Sequence, residues 1–410
     1  MKEKIAILST CDTKGYETSY LRDQIIKFGG DPLVIDVGTK SEPIGIEPDI
    51  THHQLAAYIG LTVEDIQNSG SRGEAIEKMS SALRACMHDL QNQGALCGVV
   101  CIAGSGGSVL VTEVMQDLPY GLPKLLTSPI TSGTRQFGPF VGTSDMTIMH
   151  SVVDILGINH MSRKVFANTA GAIVGMSKAY LAEAAMDYSD EKLIGITMYG
   201  QTTPGVMHAK DLLEKNGYRC LVFHGNGVGG PSMERLIKDE IFVGILDYNL
   251  SEMVGNYISG FTKCTTERLS VAGNYGLPQV IVPGSLDFIN LYPPEAFLPE
   301  YKDRVIYNHN KAFPLARTSK EENIILAKEI AKKLNGSKGA VRVLLPLKGF
   351  SSVNYEGGPF WNKDVDDAFR NTLREHLDKK IPVADIDANI NDKECGEAAA
   401  NALMELIEAG

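Results

Sequence analysis

Nowhere in this 410-residue chain is there an uncharged apolar run of the ~20 residues that a membrane-spanning helix needs. Basic runs are missing as well. The formal net charge is −11, and binding to a nucleic-acid backbone through counterion release requires clustered Lys and Arg. The seven cysteines (Cys11, Cys86, Cys97, Cys101, Cys220, Cys264 and Cys395) are scattered and form no CxxC pair. That odd set argues against a disulfide framework, so reduced thiols in a cytoplasmic protein are expected. The start, Met1-Lys2-Glu3-Lys4 and then Ile5-Ala6-Ile7-Leu8, has too short an apolar run for a signal peptide. Also absent are the GxxxxGK[ST] pattern, a GxSxG elbow, a Ser-His-Asp grouping and a metal-ligand pair on one helix. P-loop chemistry and a metal centre are therefore not expected, and the adjacent His52-His53 reads as a solvated pair in a polar insertion.

What is present is an ordinary globular balance, 43% hydrophobic and 22% charged, in a chain long enough for two or three domains. Short β-branched runs alternate with amphipathic stretches, the pattern of parallel sheets covered on both faces. Strands are expected at 4–10, 32–38, 97–103, 124–128, 193–198, 219–224, 242–247, 279–282, 341–346 and 381–386. Helices are expected at 17–28, at 72–93 (Ile76, Met79, Leu83, Met87 and Leu90 on one face), and after Asp145, with Met149, Val152, Val153 and Leu156 together. A polar joint at 187–192 sets the boundary. The fold class is α/β, two Rossmann-like parallel-sheet subdomains (1–188 and 189–410) with a cleft between them.

The strongest local signal is the apolar run 97–103 ending in Gly104-Ser105-Gly106-Gly107-Ser108. It reads as a strand, a tight turn and a helix start, which serves either as a structural turn or as an anion site. Loops expected to reach the same crevice carry Thr10, Asp12, Thr13 and Lys14, then Asp36 and Gly38, Thr127 and Ser128, and Gly142, Thr143 and Asp145. Their hydroxyls, glycine N–H groups and lysine suit a polyphosphate. Asp36 stands where a carboxylate commonly holds ribose hydroxyls, or is a strand-end turn residue. Asp12 and Asp145 reach Mg²⁺ through water or serve as caps. In the second half, Gly225, Gly227 and Gly230 spell GxGxxG after a strand, with Gly229 between and Asp247 as the acidic partner of a dinucleotide fingerprint or as a helix cap. Arg268, Asp287 and Arg317 are candidates to complete a second anion or substrate site, beside Glu252 and Glu267. His224 and His309 are candidate acid/base groups, or histidines making a single structural hydrogen bond.

Taken in order, several stretches carry a resemblance: Thr13-Lys14-Gly15-Tyr16-Glu17, residues 104–108, Gly142-Thr143-Ser144-Asp145, residues 151–155 and 196–200, Thr203-Pro204, Phe223-His224, Gly229-Gly230, Met233-Glu234, His309-Asn310 and Arg317-Thr318. Together they resemble the ATP-binding family formed by the inhibitory domain of the tomato mosaic virus resistance protein and its bacterial relatives. The resemblance spans nearly the full length. It implies two α/β subdomains, ATP held in the first at the glycine turn and the loops after the first, second and fourth strands, and a homodimer. It supplies no reaction. The expected function is thus ATP binding, with or without Mg²⁺, extended in its enzymatic version to an ATP-dependent step on a small acid or carbonyl compound in the cleft. The alternatives are a non-catalytic module whose bound nucleotide stiffens a protein-binding surface, and an NAD-dependent oxidoreductase using Gly225–Gly230.

Overall fold

A computed structural model describes residues 3–131, 138–184, 186, 190–292, 295, 298–308 and 313–410. Among them no helix is long and apolar enough to cross a membrane. The chain divides into two compact units, Met1–Asp187 and Tyr188–Gly410.

Unit 1 runs β1 (Lys4–Ser9), α1 (Cys11–Lys27), β2 (Pro32–Asp36), α2 (His52–Ala57), α3 (Val63–Gln67), α4 (Arg72–Asn92), β3 (Leu96–Ile102), α5 (Ser105–Asp117), β4 (Lys124–Ser128), α6 (Gly138–Val141), β5 (Thr147–His150) and α7 (His160–Glu183). Its sheet has the order β2-β1-β3-β4-β5, parallel throughout. Because strand side chains alternate between faces, Ile5 and Ile7 enter one core with Leu21, Ile25 and Ile173. Ala6 and Leu8 enter the other, with Met79, Leu83, Leu110 and Val114.

Two local expectations are corrected. α1 opens at Cys11 rather than near residue 17, and Lys14 interrupts it with non-helical angles (φ −126°, ψ 17°). The helix expected after Asp145 is instead β5, which extends the sheet by pairing with β4. Val152 has φ +65°, a conformation that a β-branched residue in a right-handed helix does not take.

Unit 2 runs β6 (Lys192–Met198), α8 (Thr203–Lys215), β7 (Tyr218–His224), α9 (Gly229–Lys238), β8 (Phe242–Asp247), α10 (Ser251–Tyr257), α11 (Val271–Asn274), β9 (Gln279–Ile281), β10 (Phe288–Asn290), β11 (Ile306–Asn308), β12 (Pro314–Arg317), α12 (Lys320–Asn335), β13 (Val341–Pro346), α13 (Lys363–His376), β14 (Val383–Ile386) and α14 (Lys393–Ala409). A six-stranded parallel sheet has the order β14-β13-β9-β8-β6-β7. A small antiparallel sheet, β10-β12-β11, accompanies it; nothing in the alternation of strands and helices signals this addition. Both units are thus α/β with Rossmann-like parallel sheets.

Candidate functional site

In a doubly wound parallel sheet, ligands bind beyond the strand carboxyl ends, at the point where successive connections leave in opposite directions. In unit 1 that point lies between β1 and β3. Both segments leaving it are helix starts, α1 after Thr10 and α5 after Gly104, and neither N-cap residue caps its helix with a side chain. Free first-turn N–H groups and the helix dipole attract anions.

Around these two starts lies an open depression of about 270 Å³. Thr10, Asp12, Thr13 and Lys14 line one side and Gly104, Ser105, Gly106 and Gly107 another. Thr39, Lys40 and Arg72, none anticipated from the sequence, complete it. It adjoins a second polar depression of about 490 Å³, bordered by Gln67, Ser69 and Ser71 and sharing Thr39, Lys40 and Arg72.

Arg72 Nη2 lies 2.9 Å from where a Cβ on Gly106 would stand, so a larger residue at 106 would displace the guanidinium. Neither Lys40 nor Arg72 has an ion-pair partner among the described residues. Lys14 is engaged within the fold, its Nζ donating to the Ile155 carbonyl. Asp12 is buried, accepts the Lys40 backbone N–H at Oδ2 (3.1 Å), and leaves Oδ1 without a hydrogen-bond partner.

The other residues expected at this site are not among those lining the depression. Asp36 is fully buried, and its Oδ1 accepts the backbone N–H groups of Cys11 and Gly38, both at 2.9 Å. Its Oδ2 faces His52 Nδ1 at 2.5 Å, so both oxygens are engaged within the fold rather than offered to a ribose. Gly38 packs against Asp12, whose Cγ would lie 3.0 Å from a Cβ there. Ser108 turns inward and donates to Ser128 Oγ (2.9 Å), while Thr127 meets Thr169 (3.0 Å). Gly142, Thr143 and Asp145 precede β5 and so lie toward the amino ends of the strands, away from the depression. Tyr120 OH donates to the Thr143 carbonyl, and Asp145 accepts from Gly121 N (2.8 Å) and pairs with buried Lys124 (2.7 Å). The reading of 142–145 as a loop after a strand fails because the strand comes after it.

In unit 2 the corresponding point, between β6 and β8, is filled by the chain itself. Arg268 is fully buried. It forms a two-pronged pair with Asp247 (2.5 and 2.7 Å) and donates through Nε to Glu252 (2.6 Å). The second oxygen of Glu252 accepts the N–H groups of Gly227 and Gly230, each at 3.0 Å. A carboxylate of the chain thus sits where the GxGxxG fingerprint would place a pyrophosphate, and Asp247, read as the acidic partner of that fingerprint or as a helix cap, is committed to Arg268. Gly225 donates to the Met198 carbonyl, and a Cβ on Gly229 would stand 2.1 Å from the His224 carbonyl oxygen. The glycines serve close packing, and the dinucleotide reading has no open site there.

Arg317 pairs with buried Asp366 (2.5 Å), and Asp287 accepts from Ser351 (2.6 Å). His224 is exposed, its ring stacked on Tyr199 at 5.0 Å, with no carboxylate bonded to it among the described residues. His309 lies outside the described residues.

Burial pushes Glu234, beside Arg268, up to about 7, and Asp287 up to about 6. Each group holds its proton more tightly folded than unfolded. The stability this contributes is present below the ordinary carboxylate range and is lost as pH rises toward 7. Glu234→Gln is expected to gain melting temperature relative to the parent between pH 5 and 8. A pH-independent offset between the two melting curves would contradict this account.

The fold and these two switch points define the class: a protein of two Rossmann-like α/β units, one with an open, cation-rimmed helix-start site and one whose equivalent point is closed by its own charges. The chain belongs to the UPF0261 family. Residues 3–182 match the model described as "Uncharacterised protein family (UPF0261) N-terminal domain", and residues 191–407 match that of its C-terminal domain. A UPF0261 protein of Clostridium tetani is 39% identical over the whole of both chains, and one from Rhizobium meliloti is 34% identical over 98% of this chain and 99% of its own. The tomato (Solanum lycopersicum) ToMV resistance protein Tm-1 is 32% identical over 98% of this chain and 56% of its own length. Among solved structures, Drosophila melanogaster DJ-1beta covers 46% of this chain and all of its own at 14% identity and a TM-score of 0.23, too slight a likeness to argue from.

Proposed function

We propose that unit 1 binds a phosphate-bearing nucleotide, ATP in the first instance, at the depression between β1 and β3. The observation that supports this most is the meeting of the α1 start with the uncapped start of α5 at the Gly104–Gly107 turn, beside Arg72 and Lys40, which have no ion-pair partner among the described residues. A polyphosphate needs such main-chain donors together with positive charge that no carboxylate of the fold has already neutralised. Asp12, with Oδ1 unpartnered, is the carboxylate placed to hold a Mg²⁺ that accompanies the phosphates, through one of the ion's waters. The resemblance to an ATP-binding family points the same way. The proposal is one of binding: among the described residues lining the depression there is no nucleophile paired with a base.

Isothermal titration of the full chain with ATP and ADP in the presence of Mg²⁺ tests it. Binding is expected for the parent protein. Arg72→Ala removes a charge-assisted contact of about 1.5–3 kcal/mol and is expected to weaken binding about ten- to a hundredfold without loss of folding. A folded parent protein that takes up neither nucleotide would end the proposal.

A further inference from the structure

His52 and His53, read from the sequence as a solvated pair, are not equivalent. They occupy the first two positions of α2 behind the Thr51 cap. The His52 side chain is only 2% exposed, whereas that of His53 is 50% exposed. The loop between β2 and α2 brings Glu42 against both, with Oε1 3.6 Å from His52 Nε2 and 3.0 Å from His53 Nε2. One ligand atom from each of the three residues lies within 4.8 Å of the others. We propose that Glu42, His52 and His53 form a binding site for one divalent transition-metal ion, zinc by its ligand set.

Three observations carry this. The first is the orientation of His52. Its Nδ1 faces buried Asp36 at 2.5 Å, and Asp36 is itself held by two backbone N–H groups. An imidazole donating Nδ1–H to a fixed carboxylate keeps its lone pair at Nε2, the arrangement that supports histidine ligands in zinc proteins. The second is spacing. Ligands about 2.0–2.2 Å from a tetrahedral ion stand roughly 3.3–3.6 Å apart, and the two histidine–glutamate separations lie close to that range. The third is access. Glu42 is 74% exposed, so an ion can enter from solvent and keep water as its fourth ligand. Two imidazoles and one carboxylate favour zinc over magnesium or calcium, which take oxygen ligands. Bound there, the ion would fasten Glu42 to α2 and with it the loop that carries Thr39 and Lys40. The metal site stands independently of the nucleotide reading.

The competing account is a protonated His52 bridging Asp36 and Glu42 with no metal. Both are tested on the full-length protein, stripped with a chelator and titrated with Zn²⁺ by calorimetry, with circular dichroism confirming the fold. Glu42→Gln and His53→Ala alter exposed side chains and leave the buried His52–Asp36 pair in place. The parent is expected to bind one equivalent, and each variant to lose about tenfold or more in affinity. Co²⁺ is expected to give tetrahedral d–d absorption without thiolate charge-transfer bands, separating this site from the cysteines. The proposal is overturned if the parent binds no Zn²⁺ at micromolar concentration. It is also overturned if both variants bind as the parent does, or if the cobalt spectrum shows thiolate ligation.

Discussion

Replacing Arg268 with methionine is expected to cost unit 2 about 3–5 kcal/mol, the range for removing one partner from a buried ion pair. The side chain is fully buried and is the cation that faces Asp247, Glu252 and Glu234. Without it Asp247 and Glu252 remain as adjacent buried carboxylates, and each must take up a proton or draw in water. The loss extends beyond charge. Glu252 holds the Gly227 and Gly230 N–H groups, so a shift in its carboxylate loosens the start of α9. Guanidinium unfolding read by far-ultraviolet dichroism measures the cost. Arg84→Ala is the reference, since Arg84 pairs with Asp117 at the surface and should cost no more than about 1 kcal/mol. Equal losses for the two variants would show that the Arg268 cluster is no more than a set of ordinary surface pairs.

Asp36→Ala is expected to be of similar weight in unit 1. The substitution leaves the Cys11 and Gly38 N–H groups and His52 Nδ1 without an acceptor, three buried donors at about 1–3 kcal/mol each before any water enters. Asp36→Asn keeps one carbonyl oxygen for the two backbone groups but turns an amide toward His52, and should fall between parent and alanine. Melting temperature, followed alongside nucleotide titration, distinguishes a keystone from a ligand. A residue that only held ribose hydroxyls would change affinity and leave the melting temperature in place.

Much of the architecture was legible because it is written locally. Buried parallel strands are short apolar runs such as 97–103 and 341–346, and α4 announces itself through Ile76, Met79, Leu83 and Met87. Where the reading failed, distant partners decided. Residues 147–150 have helix-like apolar spacing with Val152 and Leu156, yet the edge of β4 takes them as a strand. The start of α1, Cys11-Asp12-Thr13-Lys14-Gly15, shows no apolar periodicity and reads as loop, and the helix is indeed interrupted at Lys14. At the site, the glycine turn and the segment from Thr10 to Lys14 were recognisable as strand-end loops, and the structure does bring them together. Arg72 and Lys40 were not recognisable. Nothing in the neighbourhood of Arg72 along the chain ties it to Gly106, 34 residues on, and Glu252 entering the loop at Gly227 is likewise a long-range event. Asp36 was singled out for its position at a strand end, and His52 was read as half of a solvated pair; their mutual contact is visible only in three dimensions.

The closure of the second switch point has a bearing on ionic strength. A carboxylate supplied by the chain and sealed from water feels dissolved salt very little, because mobile ions screen exposed charges far more than buried ones. The glycine turn of unit 2 therefore keeps its counter-charge in brine as in dilute buffer. The open turn of unit 1 has no such sealed counter-charge, and the exposed Lys40 and Arg72 at its rim are screened as salt rises.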